Sequence, residues 1–337
     1  MTTIYFAGGE DVDHYEVGGG FVSQQANSYR SSFARCSLGI GVTSAAAYWA
    51  NYLQYAGTPT EIYWSGRVTV TSNSTSNGNS LVKFVDASGF VRLQVIVSSG
   101  NLIVQKVNTA GTATTLANTL APWPVLFSGS SINDKIDIHW DNDGSGSVDI
   151  YLNEVHVYNY SGDTTTETLD IAGHRLFSPV ALNNSFWSEV IVADCDTRAL
   201  DLKTYAPVAN GNTHDFDTGT PAASNVNEIF VDDTNLDAST VAGQKDQYTC
   251  PANPAGTYGV LAFGISARLI RGTSGPSKAD LGVRTGGTDY WEADHSLDTA
   301  WGCFQDWWTL NPGTSANWLP TDIGNASGFN IGVKSVA

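Results

Sequence analysis

Residues 141–146, Asp-Asn-Asp-Gly-Ser-Gly, set two carboxylates at alternate positions ahead of a glycine, a spacing with which a loop can offer oxygen ligands to calcium. An EF-type loop carries oxygens at its positions 1, 3 and 5, glycine at 6 and a bidentate glutamate at 12. Asp141, Asp143, Ser145 and Gly146 match the first four, but the twelfth position is Leu152, which has no ligand atom. Both flanks, Lys-Ile-Asp-Ile-His-Trp and Ser-Val-Asp-Ile-Tyr-Leu, alternate as strands do, and glycine pairs between such runs mark a hairpin. The stretch is expected to be a turn. Asp141 and Asp143 stay as the weak metal candidates, with calcium as the ion their oxygens would suit and no other cofactor implied.

The carboxylates, histidines and tryptophans are the other groups whose types could carry chemistry. Retaining glycosidases hold two carboxyl groups about 5 Å apart, and jelly-roll glucanases supply them from one strand as E-x-D-x-x-E. No such stretch occurs. Glu189, Asp194 and Asp196 cluster near a strand end but are interrupted by Val190, Ile191 and Val192, so they read as solvated strand-end acids. The histidines, His14, His139, His156, His174, His214 and His295, are scattered singly. His139 and His156 are expected on facing strands of one hairpin, where packing outweighs a ligand pair. No nucleophile elbow, zinc-protease helix, Walker loop or dinucleotide fingerprint is present. Trp307, Trp308 and Trp318 lie close in sequence and are the candidates for stacking on a sugar. As neighbours in a strand, Trp307 and Trp308 must point to opposite faces, so one of them is expected in the core. A core or interface role is favoured for this group over a glycan platform.

The elements that would position these groups are strands. Period-two alternation dominates the first 200 residues, notably in 61–72, 80–108 and 135–160, with Gly-, Ser-, Asn- and Asp-rich turns between. Only the stretch around Cys36 and residues 44–57 tempt a helical reading, and residues 320–327 suggest one short helix. This pattern predicts an all-β chain: a two-sheet jelly-roll sandwich over 1–205, a connector over 206–237, and a smaller β-sandwich over 238–337.

Composition narrows the partners. The 337 residues include 34 glycines, and the charged share of 15% falls below the roughly 25% of ordinary soluble domains. With 33 acidic against 16 basic residues the net charge is -17, which opposes nucleic-acid binding and docking on anionic lipid. Cys36, Cys195, Cys250 and Cys303 form no CxxC pair, so free thiols from a reducing compartment are expected and zinc is not. No basic-then-apolar leader opens the sequence, and no apolar run approaches a membrane span, so neither export by its own signal nor membrane insertion is expected.

Two resemblances add to this reading. The Trp-Asp turn followed by Val148–Val157 resembles the hairpin of laminin-G-like and concanavalin A-like modules, although Glu154 stands where a turn glycine is usual. The last third resembles the C-terminal module of tailed-bacteriophage virion proteins. The carrying stretches are Ala267–Arg271, Leu281–Tyr290, Trp308–Trp318 and Gly332–Lys334, preceded by a joint over 188–207. That resemblance implies a structural protein of the virion, assembled in the host cytoplasm beside other virion proteins. A tail-tip or fibre position, a glycan of the host surface as ligand and a homotrimer follow as expectations. The chain is expected to be non-enzymatic. A head-decorating or head-fibre protein is the alternative, and a glycan depolymerase, with Glu189 as its acid, the third.

Overall fold

In the computed structural model the described residues are 59–70, 79–98, 101–118, 134–166, 171–177, 185–216, 223–228, 233–253, 258–292, 294–324 and 328–337. Tyr55 and Leu120 are also described, and the strands before residue 53 are described as backbone. His14, Cys36 and residues 44–48 lie outside the described set. The chain divides into two compact units, Thr2–Thr204 and Tyr205–Ala337.

Strands of the first unit are, in chain order, β1 (Thr3–Ala7), β2 (Glu16–Gly18), β3 (Phe21–Gln25), β4 (Ser37–Gly41), β5 (Trp49–Tyr52), β6 (Glu61–Val70), β7 (Asn79–Val85) and β8 (Val91–Ser98). There follow β9 (Asn101–Val107), β10 (Ala113–Leu116), β11 (Asp134–Asp141), β12 (Ser147–Leu152), β13 (Val155–Ser161), β14 (Gly173–Phe177) and β15 (Ser185–Ala193). They form two antiparallel sheets. The first runs β13-β12-β11-β6-β15-β4-β3, with β1 also on β15; the second runs β10-β9-β8-β7-β14-β5-β2. This is the two-sheet sandwich that the alternation implies.

The period-two pattern decides which side chains fill the space between the sheets. On β11, Ile136, Ile138 and Trp140 are buried in the core, while Lys135, Asp137 and His139 take the other face. Trp64, Phe84, Trp140 and Trp187 meet edge-on or tilted at 5.8–6.5 Å between rings, each pair joining the two sheets or neighbouring strands. His174 is fully buried beside them, its Nδ1 hydrogen-bonded with Tyr55 Oη at 2.7 Å.

Residues 49–52 are a strand rather than part of a helix. Pairing of β5 with both β14 and β2 satisfies its backbone within the sheet, and that outweighs the local helix preference of an alanine-rich stretch. Ser37–Gly41 is likewise a strand, paired with β3 and β15.

The second unit holds β16 (Ala209–His214), β17 (Lys245–Thr249), β18 (Phe263–Leu269), β19 (Lys278–Thr285), β20 (Thr288–Trp291), β21 (His295–Ser296), β22 (Gly302–Trp308) and β23 (Asn330–Val336). A six-stranded sheet in the order β16-β17-β23-β19-β20, with β21 on β19, accompanies the two-stranded β18-β22 sheet. Between them lie Ile265, Leu281, Val283, Trp308, Trp318, Ile323 and Phe329. The stretch 206–237, expected as a connector, contributes β16 and a 3-10 turn at Ala223–Asn225; its polar residues find backbone partners on β17 that composition does not reveal. Pro320–Asp322 is a single 3-10 turn.

Candidate functional site

Each sheet of the sandwich turns one face away from the core, and both outer faces carry groups able to do chemistry. On the first sheet, cross-strand register brings His139 opposite Tyr63 on one side and Asp149 on the other. The His139 ring stacks on Tyr63 at 4.3 Å, with Nε2 2.9 Å from Glu61 Oε1 and Nδ1 3.6 Å from Asp149 Oδ2. Asp149 Oδ1 lies 2.8 Å from His156 Nε2, so one carboxylate bridges the two imidazoles. The pair anticipated on facing strands is thus separated by β12. Burial and the neighbouring Glu61 push the Tyr63 hydroxyl up to about 12.

The chain leaving β15 folds back over this face. Lys135 Nζ donates to the carbonyls of Thr197, Arg198 and Leu200 at 3.2, 2.7 and 2.6 Å. Arg198 forks onto Asp196 and covers the Tyr151 ring at 4.3 Å. Glu189, at φ 53 in a bulge of β15, is 3% exposed and ion-paired with Arg67, which also donates to Asp201 at 2.9 Å. Glu189 is therefore a buried structural anion and not a solvated acid, because the bulge turns it off the alternation that the sequence suggests. Asp196 is held below the usual carboxylate range by its bond to Arg198.

A cleft of about 200 Å³ remains among these groups, lined by Asp137, His139, Asp149, Tyr151 and Arg198. Asp137 is buried; its Oδ1 accepts from Thr197 at 3.4 Å and its Oδ2 has no hydrogen-bond partner among the described residues. Burial raises its pKa to about 6, partly offset by Lys135 at 3.8 Å. Asp137, with its raised pKa, stands one diagonal step from Asp149, so two carboxyl groups face the same cleft. Most of the face, however, is spent on internal pairs that fasten the exit segment.

The outer face of the second sheet is different. Register aligns Thr115 with Gln105, Gln105 with Gln94, Gln94 with Lys83, and Lys83 with Arg175, one row across five strands. Gln94 Nε2 donates to Gln105 Oε1 at 2.7 Å, and Gln105 Nε2 to Thr115 Oγ1 at 3.1 Å, which orients the amides along the row. Arg175 donates to the Gly89 carbonyl at 2.7 Å. Among the described residues the Lys83 ammonium has no carboxylate partner; it rests over the Phe177 ring at 4.8 Å. Burial, and secondarily Arg175, hold its pKa below the usual lysine range.

Two similar turns bank the row. In Asp86–Gly89 and Asn108–Gly111 the fourth residue's N–H returns to the first residue's carbonyl at 2.9 Å. Both end on glycines with φ of 77 and 79, a region costly for other residues. They enclose a cleft of about 430 Å³ lined by Lys83, Phe90, Gln94, Asn108 and Arg175, with Phe90 57% exposed at its rim. Aligned amides, two cations and one open aromatic ring provide the polar and apolar contacts that a sugar presents.

The residues singled out from sequence lie elsewhere. Trp308 and Trp318 belong to the second unit's core, Trp318 Nε1 donating to the Trp308 carbonyl at 2.9 Å; their faces are not open to a sugar. Trp307, one residue along, is half-buried. Asp143 accepts from Ser145 N–H and Oγ at 2.9 Å in the turn joining β11 to β12, and those bonds hold its carboxyl below the usual range. The Asp141 carbonyl is taken by Thr164 Oγ1. Among the described residues no group of three or more His, Cys, Asp or Glu side chains could hold a metal ion. Cys195, Cys250 and Cys303 are free thiols.

The chain matches no family model and no curated protein. Solved structures similar to it include a cellulose-induced protein, at 13% identity and TM-score 0.45, covering 57% of this chain and 98% of that one. An endo-β-1,4-glucuronan lyase from the fungus Trichoderma reesei is similar at 13% and 0.45, covering 60% and 98%. A carbohydrate esterase from Shiga toxin-encoding bacteriophage phi24B is similar at 10% and 0.38, covering 57% and 97%. At these identities the likeness is one of β-sandwich fold. It nevertheless corrects the expectation of a non-enzymatic chain, since a lyase and an esterase are among the proteins so related. That expectation rested on the lack of a contiguous catalytic motif. A sheet face collects its groups from several strands, as Asp137, Asp149 and Tyr63 show here, and leaves no such motif behind.

Proposed function

We propose that this chain is a component of a tailed-phage virion, at the tail tip or in a fibre, whose sandwich binds a glycan of the host surface in the groove on the second sheet. The observation that carries the glycan reading is the row of hydrogen-bonded amides and cations across that face, with the open Phe90 ring at its edge. Such a groove follows a chain of sugars, one strand spacing of about 4.8 Å at a time. The virion reading is supported by the order of motifs from Ala267 to Lys334. Their structural roles are turns and core: Gly286 and Gly287 both have positive φ in the β19–β20 hairpin, and Asn311 Oδ1 accepts from Gly313 N–H at 2.9 Å. A homotrimer, read by light scattering, accords with a fibre.

The test is binding of purified chain to host-surface polysaccharide by surface plasmon resonance, with the same polysaccharide then examined for shortening by mass spectrometry. Phe90→Ala and Gln94→Ala are expected to weaken binding about tenfold each, the equivalent of roughly 1.4 kcal/mol. Tyr63→Ala, on the opposite face, is expected to leave it unchanged. Loss with Tyr63→Ala alone would move the glycan site to the first sheet.

A further inference from the structure

We propose that the cleft on the outer face of the first sheet is a second binding site, for a ligand that brings a primary ammonium group, an unacetylated amino sugar being the class that suits it. The site lies on the opposite sheet from the glycan groove and does not depend on that groove.

Asp137 is 2% exposed and lines the cleft, yet its Oδ2 has no hydrogen-bond partner among the described residues. Folding alone disfavours that placement, because a buried carboxyl oxygen without a donor costs stability. The nearest cation does not relieve it. Lys135 has three N–H donors, and the carbonyls of Thr197, Arg198 and Leu200 take all three. Its nitrogen stands 3.8 Å from Asp137 Oδ1 and contributes charge but no hydrogen bond.

A second acceptor faces the same space. Asp149 Oδ1 accepts from Asn159 Nδ2 at 2.7 Å and lies 2.8 Å from His156 Nε2, while Oδ2 is 3.6 Å from His139 Nδ1, beyond hydrogen-bond reach. The donors around the cleft are turned elsewhere: the Arg198 fork onto Asp196, and the Tyr63 hydroxyl onto Glu61, which His139 Nε2 also meets. What the cleft lacks is a donor. An ammonium group carries three N–H donors and no acceptor, so it can bridge Asp137 Oδ2 and Asp149 Oδ2 across their diagonal. Two carboxyl groups are too few to hold a metal ion in its place, in keeping with the lack of any metal-binding group among the described residues.

Size and charge point the same way. About 200 Å³ is room for one sugar ring and not for a glycan chain, and a net charge of -17 draws a cation from a distance. Tyr151 is fixed before a ligand arrives, stacked on His156 at 4.4 Å with the Arg198 guanidinium 4.3 Å from the same ring. The hydroxyls of Tyr151 and Thr197 line the cleft beside the acids and match the hydroxyls an amino sugar carries next to its amine.

The experiment is isothermal titration of the full chain at pH 7 with a glucosamine tetramer and with its N-acetylated counterpart. Expected is binding of the free amine, at least tenfold weaker for the acetylated form. Asp137→Asn should weaken the free amine at least tenfold, and Asp149→Asn, checked for folding by circular dichroism, should weaken it in the same direction. Asp294→Asn removes the same charge from the other unit and should leave the affinity unchanged. Burial raises the Asp137 pKa to about 6, so a ligand at pH 5 must displace a proton, and binding is expected to be about tenfold weaker than at pH 7. Equal binding of the two tetramers, or binding of neither, overturns the proposal. So does a loss in Asp294→Asn equal to that in Asp137→Asn, which would reduce the attraction to net charge, or full affinity in Asp137→Asn. None of these outcomes bears on the groove of the second sheet, which is judged by host polysaccharide.

Discussion

At the scale of single residues, two buried ionisable groups give the first unit opposed responses to pH. Asp137 has a folded pKa of about 6 against an ordinary 3.8, so the folded state keeps its proton longer than the unfolded chain does. Its effect is absent below pH 4 and grows into a penalty as pH rises through 6. Asp137→Asn is expected to stabilise the unit at pH 7–8 by up to about 3 kcal/mol, and to remove that slope from urea midpoints measured between pH 4 and 7. His174 goes the other way. Burial lowers it from 6.5 to about 3, so it stays neutral inside while the unfolded chain protonates. Its contribution is whole above pH 6.5 and is lost as pH falls, on the order of 3 kcal/mol by pH 4. Two-dimensional NMR of the imidazole is expected to show no titration of His174 down to the acid unfolding transition.

At the scale of elements, turns and close approaches set the stability. Asn153 and Glu154 join β12 to β13 with φ of 48 and 68, both in the left-handed region. Asparagine tolerates that geometry; glutamate does so at a cost. Glu154→Gly is expected to raise stability by roughly 0.5–1 kcal/mol, read as a higher urea midpoint with an unchanged slope. In β19 the reverse holds. A β-carbon on Gly282 would stand 2.3 Å from the Trp291 ring and 2.7 Å from the Tyr290 carbonyl, where a backbone atom has no room to yield. Gly282→Ala is expected to cost about 3 kcal/mol, enough to lower the melting of the second unit.

At the scale of the whole molecule, two units with separate cores share one chain. Calorimetry of the full chain is expected to resolve a component that moves with Gly282→Ala and another that does not. The placement of function follows the same division. Core side chains and tight turns occupy the motifs that carry the phage resemblance, whereas the groove argued for glycan lies on the sandwich, on strands that carry none of those motifs.

Alternation along β6 to β13 is local, so the sandwich architecture was legible from residue order alone. The hairpin at Asp143 was legible too, because turn chemistry is written in adjacent residues. What order could not show is which strands lie side by side. Lys83 and Arg175 are 92 positions apart and meet only because β14 inserts between β7 and β5. Asp137 and Asp149 share a face through pairing, and Glu189 is buried through a bulge, neither of which has a sequence signature. The tryptophans near 308 drew attention because aromatic residues suit both sugar stacking and packing; a second core enclosing Trp308 and Trp318 decided between those uses. Period and turns are properties of neighbours in the chain, while a site on a sheet is a property of register, and register exists only in the folded protein.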